Sequence, residues 1–101
     1  MELSDILKEA CMQGASDIHV TIGKPPLMRL RGEIMEIKGF PVIDVEETRR
    51  LIFSVLLDEH RSRFEENLEL DTSIQVEGLA RFRVNVLMEK DGVEAVLRVI
   101  S

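Results

Sequence analysis

The spacing of apolar residues alternates between a helical period and a strand period along this chain, and the changes of period divide it into nine elements. Leu3, Ile6, Leu7, Ala10 and Cys11 recur at helical spacing, which predicts a helix with Ser4 as its cap and Gly14 at its end. Ile18, Val20 and Ile22 then alternate with His19 and Thr21, the pattern of a half-buried strand. The run Gly23-Lys24-Pro25-Pro26 interrupts it as a rigid turn, because proline has no N–H to give to a ladder. Short strands over 27–31 and 33–37 hinge at Gly32. Asp44 and Glu47 form a capping box for a helix whose core stripe is Val45, Thr48, Leu51, Ile52, Val55 and Leu56. A shorter helix is predicted over 59–67, with Phe64 and Leu68 turned inward. The last third alternates throughout, giving strands over 70–76, 80–89 and 93–100. The order α-β-β-β-α-α-β-β-β predicts an α+β domain: a mostly antiparallel sheet of about six strands with helices packed against it.

The turns of this last third allow register to be argued. A two-residue loop at Asp91-Gly92 pairs Lys90 with Val93, Met88 with Ala95, Val86 with Leu97 and Val84 with Val99, so that face is core. The opposite face carries Arg81, Arg83, Asn85, Leu87 and Glu89, together with Glu94, Val96, Arg98 and Ile100. Arg98 then lies opposite Asn85 and diagonal to Arg83. For the preceding hairpin, a two-residue loop would set Asp71 against Val84 on the core face, a costly burial. A three-residue loop, Glu77-Gly78-Leu79, avoids this and places Asp71, Ser73 and Gln75 beside Asn85, Arg83 and Arg81.

Composition narrows what such a face can do. A chain of 101 residues, 45% hydrophobic and 32% charged, reads as one soluble globular domain. It has no apolar run long enough to span a membrane and no basic leader, which predicts a cytoplasmic protein. Its single cysteine, Cys11, makes no internal disulfide and is expected as a buried structural thiol. A net charge of −6 and an aromatic set of four Phe argue against nucleic acid as a partner. Within this acidic chain, Arg81, Arg83 and Arg98 gather at one end of one sheet face, while Glu89 and Glu94 lie toward the other. Guanidinium forks suit phosphate oxygens and cannot shed a proton to relieve crowding. The plainer alternative is a solvated strand face partly neutralised by Asp71. Asp17 and His19 share a strand face but no further ligand completes a metal shell, so they read as a local salt bridge or cap and an interface residue. His60, Arg61, Arg63, Glu65 and Glu66 read as a solvated helix face, and no catalytic triad can be assembled.

The same segments resemble a known family. Gly14-Ala15-Ser16-Asp17-Ile18-His19 is similar to the G-A-S-D-[IL]-H signature of PilT-like twitching-motility ATPases and related secretion ATPases, and Gly23-Lys24-Pro25-Pro26, Arg29 and Gly32 continue it. Phe64 to Asp71, then Gly78 and Arg81-Phe82-Arg83-Val84-Asn85-Val86, then Val96-Leu97-Arg98-Val99-Ile100, follow in the family's order. The resemblance implies that residues 1–101 are a PAS-like N-terminal domain, joined in its parent to a RecA-like ATPase domain that this chain lacks. It implies a homohexamer in which ATP and magnesium sit between domains. Arg81, Arg83 and Arg98 match the family's arginines that reach toward the phosphates. Partners would be the ATPase domains of the same and neighbouring subunits and the inner-membrane pilus machinery, at the inner face of the cytoplasmic membrane. Retraction is favoured over assembly or secretion because the match begins at residue 1. No G-x-x-x-x-G-K-[ST] occurs, and Gly23-Lys24 is followed by prolines, so no catalytic residue and no ATP hydrolysis are expected of this chain alone. The alternative function is a free-standing PAS-like ligand sensor, which requires a polar pocket where the sequence predicts a core of Val, Leu, Ile and Met.

Overall fold

The alternating segments become strands of a single antiparallel sheet in the computed structural model, which describes residues 1–101. The elements are α1 (Leu3–Met12), β1 (Asp17–Val20), β2 (Leu27–Leu30), β3 (Glu33–Glu36), α2 (Val45–Ser54), α3 (Asp58–Asn67), β4 (Glu69–Val76), β5 (Ala80–Glu89) and β6 (Gly92–Ile100), in the predicted order. The strands lie in the order β3-β2-β1-β6-β5-β4. Two meanders are thus joined along one seam, where β6 pairs antiparallel with β1, Ile18 opposite Leu97 and His19 opposite Val96.

The helices cover one face of this sheet and leave the other bare. Leu3, Ile6, Leu7 and Ala10 of α1, Leu51 and Ile52 of α2, and Phe64 of α3 are buried together with Ile18, Val20, Phe82, Val84, Val86, Ala95 and Leu97. Burying this apolar area is the main stabilising term for the domain. Phe64 meets Phe53 edge to face at 5.9 Å, and Arg49 lies over the Phe53 ring at 4.4 Å.

Several local expectations are corrected. Ser4 lies inside the first turn of α1; Glu2 is the N-cap residue, and its N–H donates to the Asp5 carboxylate at 3.1 Å. Asp44 does cap α2, accepting from the Glu47 N–H at 2.8 Å, but the Glu47 carboxylate turns to Arg50 instead of closing the box. In the α2 stripe Thr48, Leu51, Ile52 and Leu56 are buried, whereas Val45 at the first turn is exposed and Val55 half-buried. Leu68 is 52% exposed, because the residue ending α3 takes a left-handed conformation (φ 61°) that turns the chain into β4 and its side chain outward. Cys11 is half-buried at the edge of the core. The turn at 23–26 is held as expected, with the Gly23 N–H donating to the Ile43 carbonyl and the Ile43 N–H to that of Lys24.

The β4–β5 register is the predicted one, with Asp71 opposite Asn85, Ser73 opposite Arg83 and Gln75 opposite Arg81. The β5–β6 register is two residues away from the predicted one. The loop is Lys90-Asp91, so Glu89 pairs with Gly92, Val84 with Leu97 and Phe82 with Val99. Gly92 is a strand residue beneath α2, where an added Cβ would stand 2.5 Å from Val45 Cγ2 and 3.2 Å from Ile22 Cδ1. A shift of two residues keeps every side chain on its face but changes its neighbours. Arg98 therefore lies directly opposite Arg83, and Asn85 opposite Val96.

Candidate anion-binding face

The bare face can be followed as rows running across the strands. Arg29, Asp17, Arg98, Arg83 and Ser73 form one row through β2, β1, β6, β5 and β4. Leu27, His19, Val96, Asn85 and Asp71 form the next, and Arg81 lies beyond the first row between Ile100 and Gln75. The alternation that sends Ile18, Val84 and Leu97 into the core sends their neighbours in sequence here.

Arg83 and Arg98 are like charges in directly opposed positions, an arrangement that is destabilising when left uncompensated. Carboxylates on the far side of each draw them apart. Arg98 Nε donates to Asp17 Oδ1 at 2.9 Å, toward β1. Arg83 donates through Nε and Nη2 to both Asp71 oxygens, at 3.2 and 2.7 Å, toward β4. A depression of about 200 Å³, lined by Arg83, Asn85, Val96 and Arg98, lies between them. Arg81 Nη2 donates to the neutral Ser73 hydroxyl at 2.9 Å. Arg29 Nε lies 3.4 Å from the other Asp17 oxygen. Four guanidinium groups against two carboxylates leave two positive charges uncompensated at this end of an acidic chain.

Three groups on the face have ionisation shifted from the ordinary range. The Arg83 hydrogen bonds hold the Asp71 carboxyl below its ordinary range, and the same contact raises Arg83. Partial burial pushes His19 down; the Asp17 charge opposes this and that of Arg29 reinforces it. Toward the other end, Glu94 is committed to structure, accepting from the Ile22 N–H at 2.9 Å.

The structure thus brings Arg81, Arg83 and Arg98 together on one face and adds two residues that sequence spacing did not place there. Asp17 and Arg29 join through the β1–β6 and β1–β2 pairings; the only sequence signal was Asp17's position out of phase with Ile18. Asp17 bridges to Arg98, 81 residues away, rather than locally. His60 is likewise not part of a solvated helix face. It is 8% exposed, its Nδ1 accepts from the Leu57 N–H at 3.3 Å, and its Nε2 lies 3.2 Å from Thr72 Oγ1. No three His, Cys, Asp or Glu side chains converge in a way that could hold a metal ion.

No protein-family model matches the chain. It is 39% identical over 100 residues to the type IV pilus retractation ATPase PilT of Pseudomonas aeruginosa, a match covering 99% of this chain and 29% of that protein. It is 34% identical over 101 residues to the type IV pilus ATPase PilU of the same organism, covering 100% of this chain and 26% of that one. The crystal structure of the pilus retraction motor PilT with bound ADP matches with a TM-score of 0.93 and 42% identity, over 100% of this chain and 29% of its own. The chain carries a PilT-like N-terminal domain. The α+β architecture of this PilT-like domain, three helices on a six-stranded antiparallel sheet, is the one the order of elements predicted. The chain spans 26–29% of the length of these curated relatives.

Proposed function

We propose that this PilT-like domain is the coupling and oligomerisation domain of a hexameric type IV pilus retraction ATPase. Its bare sheet face docks on a RecA-like ATPase domain of a neighbouring subunit and offers arginines to the phosphates of ATP. The observation that carries this reading is the Arg83–Arg98 pair, drawn apart over an open depression with positive charge in excess.

The three arginines are not equivalent as phosphate donors. Arg83 commits Nε and Nη2 to Asp71 and acts as a brace. Arg98 commits only Nε, leaving both Nη groups, and its side chain is 69% exposed. Arg81 is bonded only to a neutral hydroxyl. Arg98 and Arg81 are therefore the phosphate ligands, and their charge-assisted forks suit tetrahedral oxygens. In the intact ATPase, nucleotide and magnesium supply the phosphoryl chemistry, and the residues here do not form a magnesium site. This chain's contribution is preorganised positive charge, which stabilises negative charge developing on a transferred phosphoryl group. The motor works in the cytoplasm, at the inner-membrane pilus machinery; no helix of this domain is long and apolar enough to cross a membrane. A ligand-sensing role has no support in the interior, which is filled by Ile6, Leu7, Ile18, Leu51, Phe64 and Phe82, each at most 0% exposed.

The test is steady-state ATPase kinetics of the full-length protein. Arg98→Gln and Arg81→Gln should each lower kcat by about 10- to 100-fold, the worth of one charge-assisted hydrogen bond in the transition state, with the hexamer retained. Unchanged kcat in both variants would refute the assignment.

A further inference from the structure

We infer that Asp17 is a positioning residue for Arg98, a buried acceptor that fixes the guanidinium so that its Nη edge is presented to a phosphate-bearing ligand. The inference rests on the phosphate reading of the face given above.

Asp17 is the one carboxylate buried in this chain, at 5% exposure, yet it sits under a face that is otherwise open. It stands between its two cross-strand partners, Arg29 and Arg98, and engages each through Nε, at 3.4 and 2.9 Å. The backbone around it is tied from both sides: the Ser16 N–H donates to the Arg29 carbonyl and the Val99 N–H to that of Ser16, each at 3.0 Å. Arg29 is fixed a second time, donating through Nη1 to the Gly32 carbonyl at 2.9 Å. Arg98 has no second protein partner. The contrast with Arg83 is chemical. The bidentate pair of Asp71 with Arg83 occupies the side edge of the guanidinium and neutralises its charge one to one. The single bond from Arg98 Nε, to a carboxylate shared with Arg29, orients the guanidinium while leaving both Nη groups and more of its charge unused. A buried ion pair is weak evidence for stability, because desolvation offsets most of the attraction. Orientation of a flexible, exposed cation gives this one a function.

The sign of one substitution separates positioning from simple electrostatics. Asp17→Asn removes a negative charge beside the proposed site, so charge alone predicts tighter anion binding. Positioning predicts weaker binding, because Arg98 must be ordered on binding instead of beforehand, about threefold to tenfold. The probe is inorganic tripolyphosphate, titrated into the millimolar range and followed by NMR, with Arg98→Gln in parallel. Weakening in both variants is the expected result. Weakening by Arg98→Gln, with Asp17→Asn unchanged or tighter, overturns this inference and leaves the phosphate reading intact. No response of the wild-type chain, or no effect of Arg98→Gln, overturns the phosphate reading and this inference with it. A second measurement needs no folded variant: before ligand is added, the Arg98 Nε–H signal of the wild-type chain should exchange with water more slowly than that of an unpaired arginine. Equal exchange overturns the positioning role directly.

Discussion

Replacing Leu97 by alanine tests the core on which the arginine row stands. Leu97 is 0% exposed and lies on the buried side of β6, between Ile18 of β1 and Val84 of β5, which are at most 1% exposed themselves. Ladders on both sides hold the backbone here, so the gap cannot close by local collapse. Leu→Ala at buried sites costs about 2–5 kcal/mol, with the larger values where the cavity persists. We expect about 3 kcal/mol for Leu97→Ala, measured as a shift of the urea midpoint at constant slope. For a domain of this size that corresponds to a fall in Tm of about 12–24 °C. Leu68→Ala is the matched comparison: the helical pattern turns Leu68 inward, whereas the structure leaves it 52% exposed. Its loss should stay within about 0.5 kcal/mol. A Leu97→Ala loss under about 1 kcal/mol, or equal losses at the two sites, would refute the packing described for β6.

Gly92→Ala should destabilise by about 1–3 kcal/mol, since the new methyl meets Val45 and Ile22; a neutral result in chemical denaturation would mean that α2 does not press on β6. His60→Ala should cost about 1–3 kcal/mol by leaving the Leu57 N–H and the Thr72 hydroxyl without their partner, and faster amide exchange at Leu57 is the specific readout. His19 should titrate below the ordinary histidine value of about 6.5, because burial disfavours its charged form. The unfolded chain then binds this proton more tightly than the folded one. The contribution of His19 to stability is accordingly full above about pH 6.5 and declines as the pH falls below it. An NMR titration midpoint at or above that value would contradict the burial of His19.

The contrast between the two hairpins shows what hydrophobic pattern can and cannot decide. At β4–β5, the competing loop lengths differed in whether Asp71 was buried, and that cost selected the observed register. At β5–β6, the loops 90–91 and 91–92 differ by two residues in pairing and give the same faces, so alternation could not distinguish them. The deciding contact, α2 on Gly92, is remote in sequence. The arginines were therefore placed on the right face with the wrong neighbours. The pairing of β1 with β6 lay further out of reach, because no short turn connects them, and Asp17 and Arg29 entered the site only through it and its β1–β2 neighbour. His60 and Leu68 were misplaced for a related reason: α3 is mostly polar, so its apolar period is weak, and its buried side includes a histidine satisfied by Leu57 and Thr72.

On the proposed reading, the bare face of this PilT-like domain meets nucleotide phosphate through Arg98 and Arg81. The most direct measurement is a structure of the full-length protein with a non-hydrolysable ATP analogue. Arg98 Nη groups are expected within about 2.7–2.9 Å of phosphate oxygens, with the Arg98–Asp17 bond kept and Arg83 still held by Asp71. Nucleotide bound with Arg98 and Arg81 turned to solvent, or with the face buried against a surface that carries no phosphate, would contradict it.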